Sequence, residues 1–90
     1  MAEIRTEAKI SVTQAPRLEA QLKEVLEQTG EDIVVNMEDT TYISSVGLRV
    51  FASVQKKINA KGRNMVLINV KPQILEIFEV TGFVGVLTIE

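Results

Sequence analysis

Two short apolar runs, Ile33-Val34-Val35-Asn36-Met37 and Met65-Val66-Leu67-Ile68, constrain the fold of this chain more than any other feature. Each is too short for a helix, is rich in aliphatic residues and lacks the alternation of a strand that is wet on one face. They read as strands covered on both sides. Such strands need helices over them, and the intervening segments supply the helical period. Leu18, Leu22, Val25 and Leu26 follow Pro16, a residue tolerated in a first helical turn, and predict a helix over 16–28 ending at Gly30. Gly47, Val50, Phe51, Val54 and Ile58 predict a second helix over 46–60, closed by Gly62. Pro72 opens a third over 72–80, carrying Ile74, Leu75, Ile77, Phe78 and Val80 and stopped by Gly82.

The ends of the chain read as strands. From 3 to 12, Ile4, Thr6, Ala8, Ile10 and Val12 alternate with Glu3, Arg5, Glu7, Lys9 and Ser11, the pattern of a half-buried strand. Residues 84–89 form the last apolar run. The order is β-α-β-α-β-α-β, which predicts an α/β domain over 1–90 with one mostly parallel four-stranded sheet and about three helices. No repeat, linker or low-complexity segment interrupts it.

Composition narrows the function. The chain has no cysteine and no histidine, so it offers no thiol nucleophile, no imidazole base and no Cys/His zinc site. No Gly-rich phosphate loop is present. Acid pairs such as Glu31-Asp32 and Glu38-Asp39 sit at element boundaries, where adjacent side chains diverge. The expectation is a protein that is not an enzyme and uses no metal or cofactor. A net charge of −2 gives no basic field for nucleic acid. The nearest basic cluster, Lys56-Lys57 with Lys61 and Arg63, reads as the solvated end of the second helix. The first nine residues lack the apolar core of a signal peptide, and no run approaches the ~20 residues of a membrane span. A cytoplasmic protein without membrane insertion is expected.

Chemistry concentrates in Glu38-Asp39-Thr40-Thr41-Tyr42-Ile43-Ser44-Ser45-Val46-Gly47-Leu48-Arg49, where a buried strand gives way to a helix. A hydroxyl at a helix start lies against unpaired backbone N–H groups and the positive end of the helix dipole. The place suits a capping serine and equally a phosphate, and Ser45 is the candidate for both. Asp39 reads as a turn-former, because Asp readily bonds its own backbone. Tyr42 reads as a packed aromatic with a wet hydroxyl. Gly47 permits a close approach to the helix start. Arg49, one turn in, reads as a surface residue within reach of a phosphate.

This stretch resembles the signature of the STAS family, the bacterial anti-sigma-factor antagonists, through Asp39, Tyr42, Ile43, Ser45 and Gly47-Leu48. Residues 62–67 and 71–83 are similar to the family's later strand and helix. The resemblance implies the same α/β arrangement, here shortened at both ends: the family's usual leading strand and trailing helix are expected to be absent or very short. It also implies that Ser45 is phosphorylated by an anti-sigma factor of the serine-kinase type, and that the unphosphorylated form binds that partner and frees a sigma factor. Asp39, Tyr42, Ser44, Ser45, Gly47 and Arg49 would form the partner surface. Ser44 departs from the family, which commonly has Asp there, and is the second-choice acceptor. The alternative is a non-enzymatic scaffold or subunit of a transport or stress-sensing complex without a phosphoswitch.

Overall fold

The computed structural model describes residues 2–90; Met1, the first residue of the expected domain, lies outside the described residues. The chain runs β1 (Ala2–Arg5), β2 (Lys9–Ile10), α1 (Ala15–Gln28), β3 (Ile33–Asn36), β4 (Tyr42–Ile43), α2 (Ser45–Ala60), β5 (Met65–Ile68), α3 (Pro72–Val80), a 3₁₀ turn (Phe83–Gly85) and β6 (Thr88–Ile89). Strands β1, β3, β5 and β6 form one sheet in the order β1-β3-β5-β6, every pairing parallel. The expected α/β fold with a four-stranded sheet and three helices is the observed one. β2 and β4 form a separate parallel ribbon of two residues each, with Lys9 opposite Tyr42 and Ile10 opposite Ile43.

That ribbon corrects the reading of 3–12 as one strand. The Thr6 N–H still bonds the Asn36 carbonyl at 3.0 Å, the last link to β3. Beyond it the Thr40 hydroxyl donates to the Glu7 carbonyl at 2.7 Å, and the Ala8 carbonyl accepts the N–H groups of Thr41 and Tyr42. These bonds turn the chain away from the sheet and onto β4. Ile4, Thr6 and Ile10 are buried as the alternation predicts, whereas Ala8 and Val12 are exposed. Residues 84–89 are corrected likewise. Gly82, at φ 80°, leads into the 3₁₀ turn, Val84 and Val86 are exposed, and only Thr88–Ile89 pairs with β5.

The buried core gathers Leu22 and Leu26 of α1, Phe51, Val54 and Ile58 of α2, Ile74 and Phe78 of α3, and the alternate strand residues Ile33, Val35, Met65 and Leu67. The glycines divide. Gly62 and Gly82 take the positive φ expected of a helix stop. Gly30 does not, and α1 ends instead at Gln28, where the Thr29 N–H and hydroxyl both bond the Val25 carbonyl. Arg63 finishes that cap by donating to the carbonyls of Leu26, Thr29 and Glu31. Its guanidinium, read from sequence as part of a solvated helix end, therefore ties the α2–β5 connection to the end of α1.

One buried polar group is poorly served. Gln55 is fully buried, and its Nε2 donates to Asn59 Oδ1 at 3.0 Å, while its Oε1 has no hydrogen-bond partner among the described residues. A buried acceptor left unpaired costs about 1–3 kcal/mol. Gln55→Met, which keeps the volume, is expected to leave the urea unfolding midpoint unchanged or raise it. A clear fall would show that the amide contributes more than its visible bonds.

Candidate functional site

The site is built where the parallel strands end. Asn36, the last residue of β3, is nearly buried, and its Oδ1 accepts the Glu38 N–H at 3.0 Å and Asn69 Nδ2 at 3.2 Å. A turn follows, closed by the Thr40 N–H on the Met37 carbonyl at 3.0 Å. Thr40 is fully buried and lies 2.5 Å, hydroxyl to hydroxyl, from the buried Thr6. These bonds anchor both ends of the turn and leave its middle, Glu38 and Asp39, in solvent.

Arg5 grips that middle. Its Nε donates to Asp39 Oδ2 at 2.9 Å and its Nη2 to Glu38 Oε1 at 2.5 Å. The hydrogen bond and charge of Arg5 hold the Asp39 carboxyl below its ordinary value, with a smaller pull from Lys71. Asp39 is thus an exposed acid on the turn whose carboxylate is already paired with Arg5. The pairing residue was invisible in the sequence, because only the strand register brings position 5 to position 39.

The chain then forms β4 and enters α2. The Ser44 N–H bonds the Ile10 carbonyl at 2.9 Å, so the residue before the helix is fixed to the ribbon. Ser44 has extended backbone angles, its Oγ accepts the Gly47 N–H at 3.2 Å, and its carbonyl accepts the Leu48 N–H at 3.0 Å. Ser44 is therefore the N-cap, a role the sequence reading gave to Ser45. Ser45 is the first helical residue, is exposed, and its hydroxyl makes no hydrogen bond among the described residues.

Gly47 explains why the helix can begin here. A Cβ at this position would stand 2.8 Å from Ile10 Cγ2 and 2.9 Å from Ile43 Cγ1, with the Ile10 carbonyl oxygen at 3.3 Å. The first turn of α2 thus rests directly on the ribbon's two isoleucines. Tyr42 corrects its reading as a core aromatic: it is 49% exposed, because β4 turns Ile43 inward and Tyr42 outward. Arg49 is exposed as expected and joins no ion pair or hydrogen bond among the described residues. The structure thereby places Tyr42, Ser44, Ser45, Gly47 and Arg49 along one ribbon-to-helix junction. Asp39 sits on the preceding turn, its carboxylate on Arg5.

Two outcomes test this geometry. Gly47→Ala gains up to about 1 kcal/mol of helix propensity, but overpacking typically costs about 1–3 kcal/mol. A net loss of stability is expected in urea unfolding, and a net gain would show the contact to be slack. In Arg5→Gln, the Asp39 carboxyl should titrate at higher pH than in the parent, read by carboxyl carbon NMR. Asp39's folded pKa is depressed, so its contribution to stability is present above the unfolded carboxylate pKa and is lost as pH falls through the lower folded value. Arg5→Gln should flatten that acid limb. Unchanged titration of Asp39 would refute the pairing in solution.

The STAS domain model matches residues 2–90. BtrV of Bordetella bronchiseptica, which carries the name of an anti-sigma factor antagonist, is 32% identical over 77 residues, covering 86% of this chain and 66% of its own length. The anti-sigma-B factor antagonist of Staphylococcus aureus is 30% identical over 80 residues, covering 89% and 74%. The chain thus spans about two thirds to three quarters of these relatives. Among solved structures, the anti-sigma factor antagonist SpoIIAA in its unphosphorylated form superposes with a TM-score of 0.81 at 17% identity, covering 98% of this chain and 77% of that one. The phosphorylated form of the Bacillus protein superposes at 0.75, also at 17% identity, covering 98% and 80%. At that identity the structural likeness speaks for the fold alone. No helix among the described residues is long and apolar enough to cross a membrane.

Proposed function

The chain belongs to the STAS domain family, and from that premise we propose that it is an anti-sigma-factor antagonist switched by phosphorylation of Ser45. In this reading the unphosphorylated protein binds an anti-sigma factor of the serine-kinase type in the cytoplasm and acts by binding, not by catalysis. The kinase ends the complex by modifying Ser45. One observation carries the choice of residue: Ser44 is spent on the cap while the Ser45 hydroxyl stands exposed and unengaged one residue later. Of the two serines, Ser45 is the one a kinase can reach without dismantling the helix start.

The consequence of modification follows from charge. A phosphoserine adds roughly −1.5 to −2 charges and three acceptor oxygens. Within the domain the dianion lies at the positive pole of α2, an arrangement worth about 0.3–1 kcal/mol. A partner packed over Ser45 would instead face a desolvated dianion. A loss of only about 1.4 kcal/mol at the interface weakens binding tenfold. Tyr42, half-exposed beside the junction, supplies the kind of aromatic anchor that dominates interfaces.

The test is an in-vitro kinase reaction with the partner recovered by pull-down, read by site-resolved mass spectrometry. Ser45→Ala should fold with almost unchanged stability, bind the partner and resist modification. Ser45→Asp should fold and bind more weakly. Ser44→Ala should lose about 1 kcal/mol, because it removes the cap, yet still be modified at Ser45. Phosphate on Ser44 would move the switch by one residue. Binding insensitive to Ser45→Asp, with neither serine modified, would favour a scaffold role without a phosphoswitch.

A further inference from the structure

Resting on the reading of Ser45 as the modified residue, we propose that its phosphate is received in cis by Arg49, one turn along the same helix. Residues four apart share a helix face, and here both members are exposed. Helical side chains lean toward the N-terminus, so the Arg49 stem runs back over the turn that carries Ser45. The two Cα atoms are separated by about 6 Å along the axis, well within the reach of a guanidinium. Its planar fork matches a phosphate in two-point hydrogen bonding, which an ammonium does not.

The surroundings leave Arg49 free for this role. The first turn of α2 holds no acidic residue, since Ser44 is neutral and Val46 and Gly47 follow. The acids of the preceding turn, Glu38 and Asp39, are taken by Arg5. Arg49 itself has no ion-pair partner among the described residues, unlike Arg5 and Arg17, which hold carboxylates, and Arg63, which caps α1. The exposed serine and the unpaired arginine thus combine in one device. Unmodified, the junction presents a hydroxyl and a free cation; modified, it presents a phosphate partly neutralised from within.

The experiment uses the full chain with phosphoserine installed at 45 during synthesis, so no kinase is required. The phosphorylated and unphosphorylated forms are each made with Arg49, Arg49→Gln and Arg49→Lys. If Arg49 receives the phosphate, phosphorylation should raise the unfolding temperature of the parent relative to Arg49→Gln by about 2 °C. Arg49→Lys should fall between them, and 1 M salt should erase most of the difference. The Arg49 Nε–H signal should also shift on phosphorylation of the parent. Identical responses in the parent and Arg49→Gln, with that signal unmoved, would overturn the proposal. If a kinase never modifies Ser45, the switch reading fails while this measurement still returns its own answer.

Discussion

Everything at the functional end of this molecule depends on one close approach, the backbone of Gly47 against Ile10 and Ile43. With 2.8 Å between Ile10 Cγ2 and the place a Cβ would occupy, the first turn of α2 sits as low on the ribbon as a peptide chain allows. That depth places Ser44 where its N–H meets the Ile10 carbonyl and its Oγ meets the Gly47 N–H. Each of these bonds fixes a backbone angle at the helix start, so Ser45 is displayed by a rigid frame and not by a mobile loop. The ribbon in turn exists because Thr40 and Thr6 bury their hydroxyls together and divert the chain from the sheet. A packing contact and a small polar knot, both largely buried, determine what the surface presents.

Electrostatics divides that surface into two compartments. At the turn, Arg5 neutralises Glu38 and Asp39, and the Asp39 carboxyl remains ionised to lower pH than an unpaired acid would. At the helix, no acid stands within the first turn and Arg49 is unpaired. A chain of net charge −2 thereby keeps its helix pole positive. Because both compartments are solvent-exposed, their energies are small and salt-sensitive. Their effect is to set the distribution of charge over this end of the surface.

Much of this was legible in the sequence, for identifiable reasons. The helices expected over 16–28, 46–60 and 72–80 are observed at 15–28, 45–60 and 72–80, because amphipathic periodicity and the Pro16 and Pro72 signals act locally. The strands at 33–36 and 65–68 were equally plain, but their expected cover on both faces is corrected: Ile33, Val35, Met65 and Leu67 are buried, whereas Val34, Val66 and Ile68 on the opposite face are only half-buried and lie outside the core cluster. What escaped depends on long-range pairing. The break in 3–12 is caused by Thr40, which stands 33 residues from Glu7 in sequence. Tyr42 was misread as core because a two-residue strand is too short to show its alternation. Gly30 was misread as a cap because glycine only permits a left-handed stop, and here Thr29 with Arg63 supplied another one.

The serine pair shows how local and distant constraints meet. From sequence the cap was read at Ser45, one residue too late, because composition and spacing do not separate two adjacent hydroxyls. The bond from the Ser44 N–H to the Ile10 carbonyl separates them, because it holds Ser44 in the extended conformation that an N-cap needs. Ser45 is then the first residue with helical angles, and its side chain is exposed to solvent. A one-residue slip of β4 along β2 would send Ile43 outward and bring Tyr42 against Gly47, which has no room for it. The register of a two-residue ribbon is thus what assigns one serine to the cap and leaves its neighbour's hydroxyl exposed and without a hydrogen bond among the described residues.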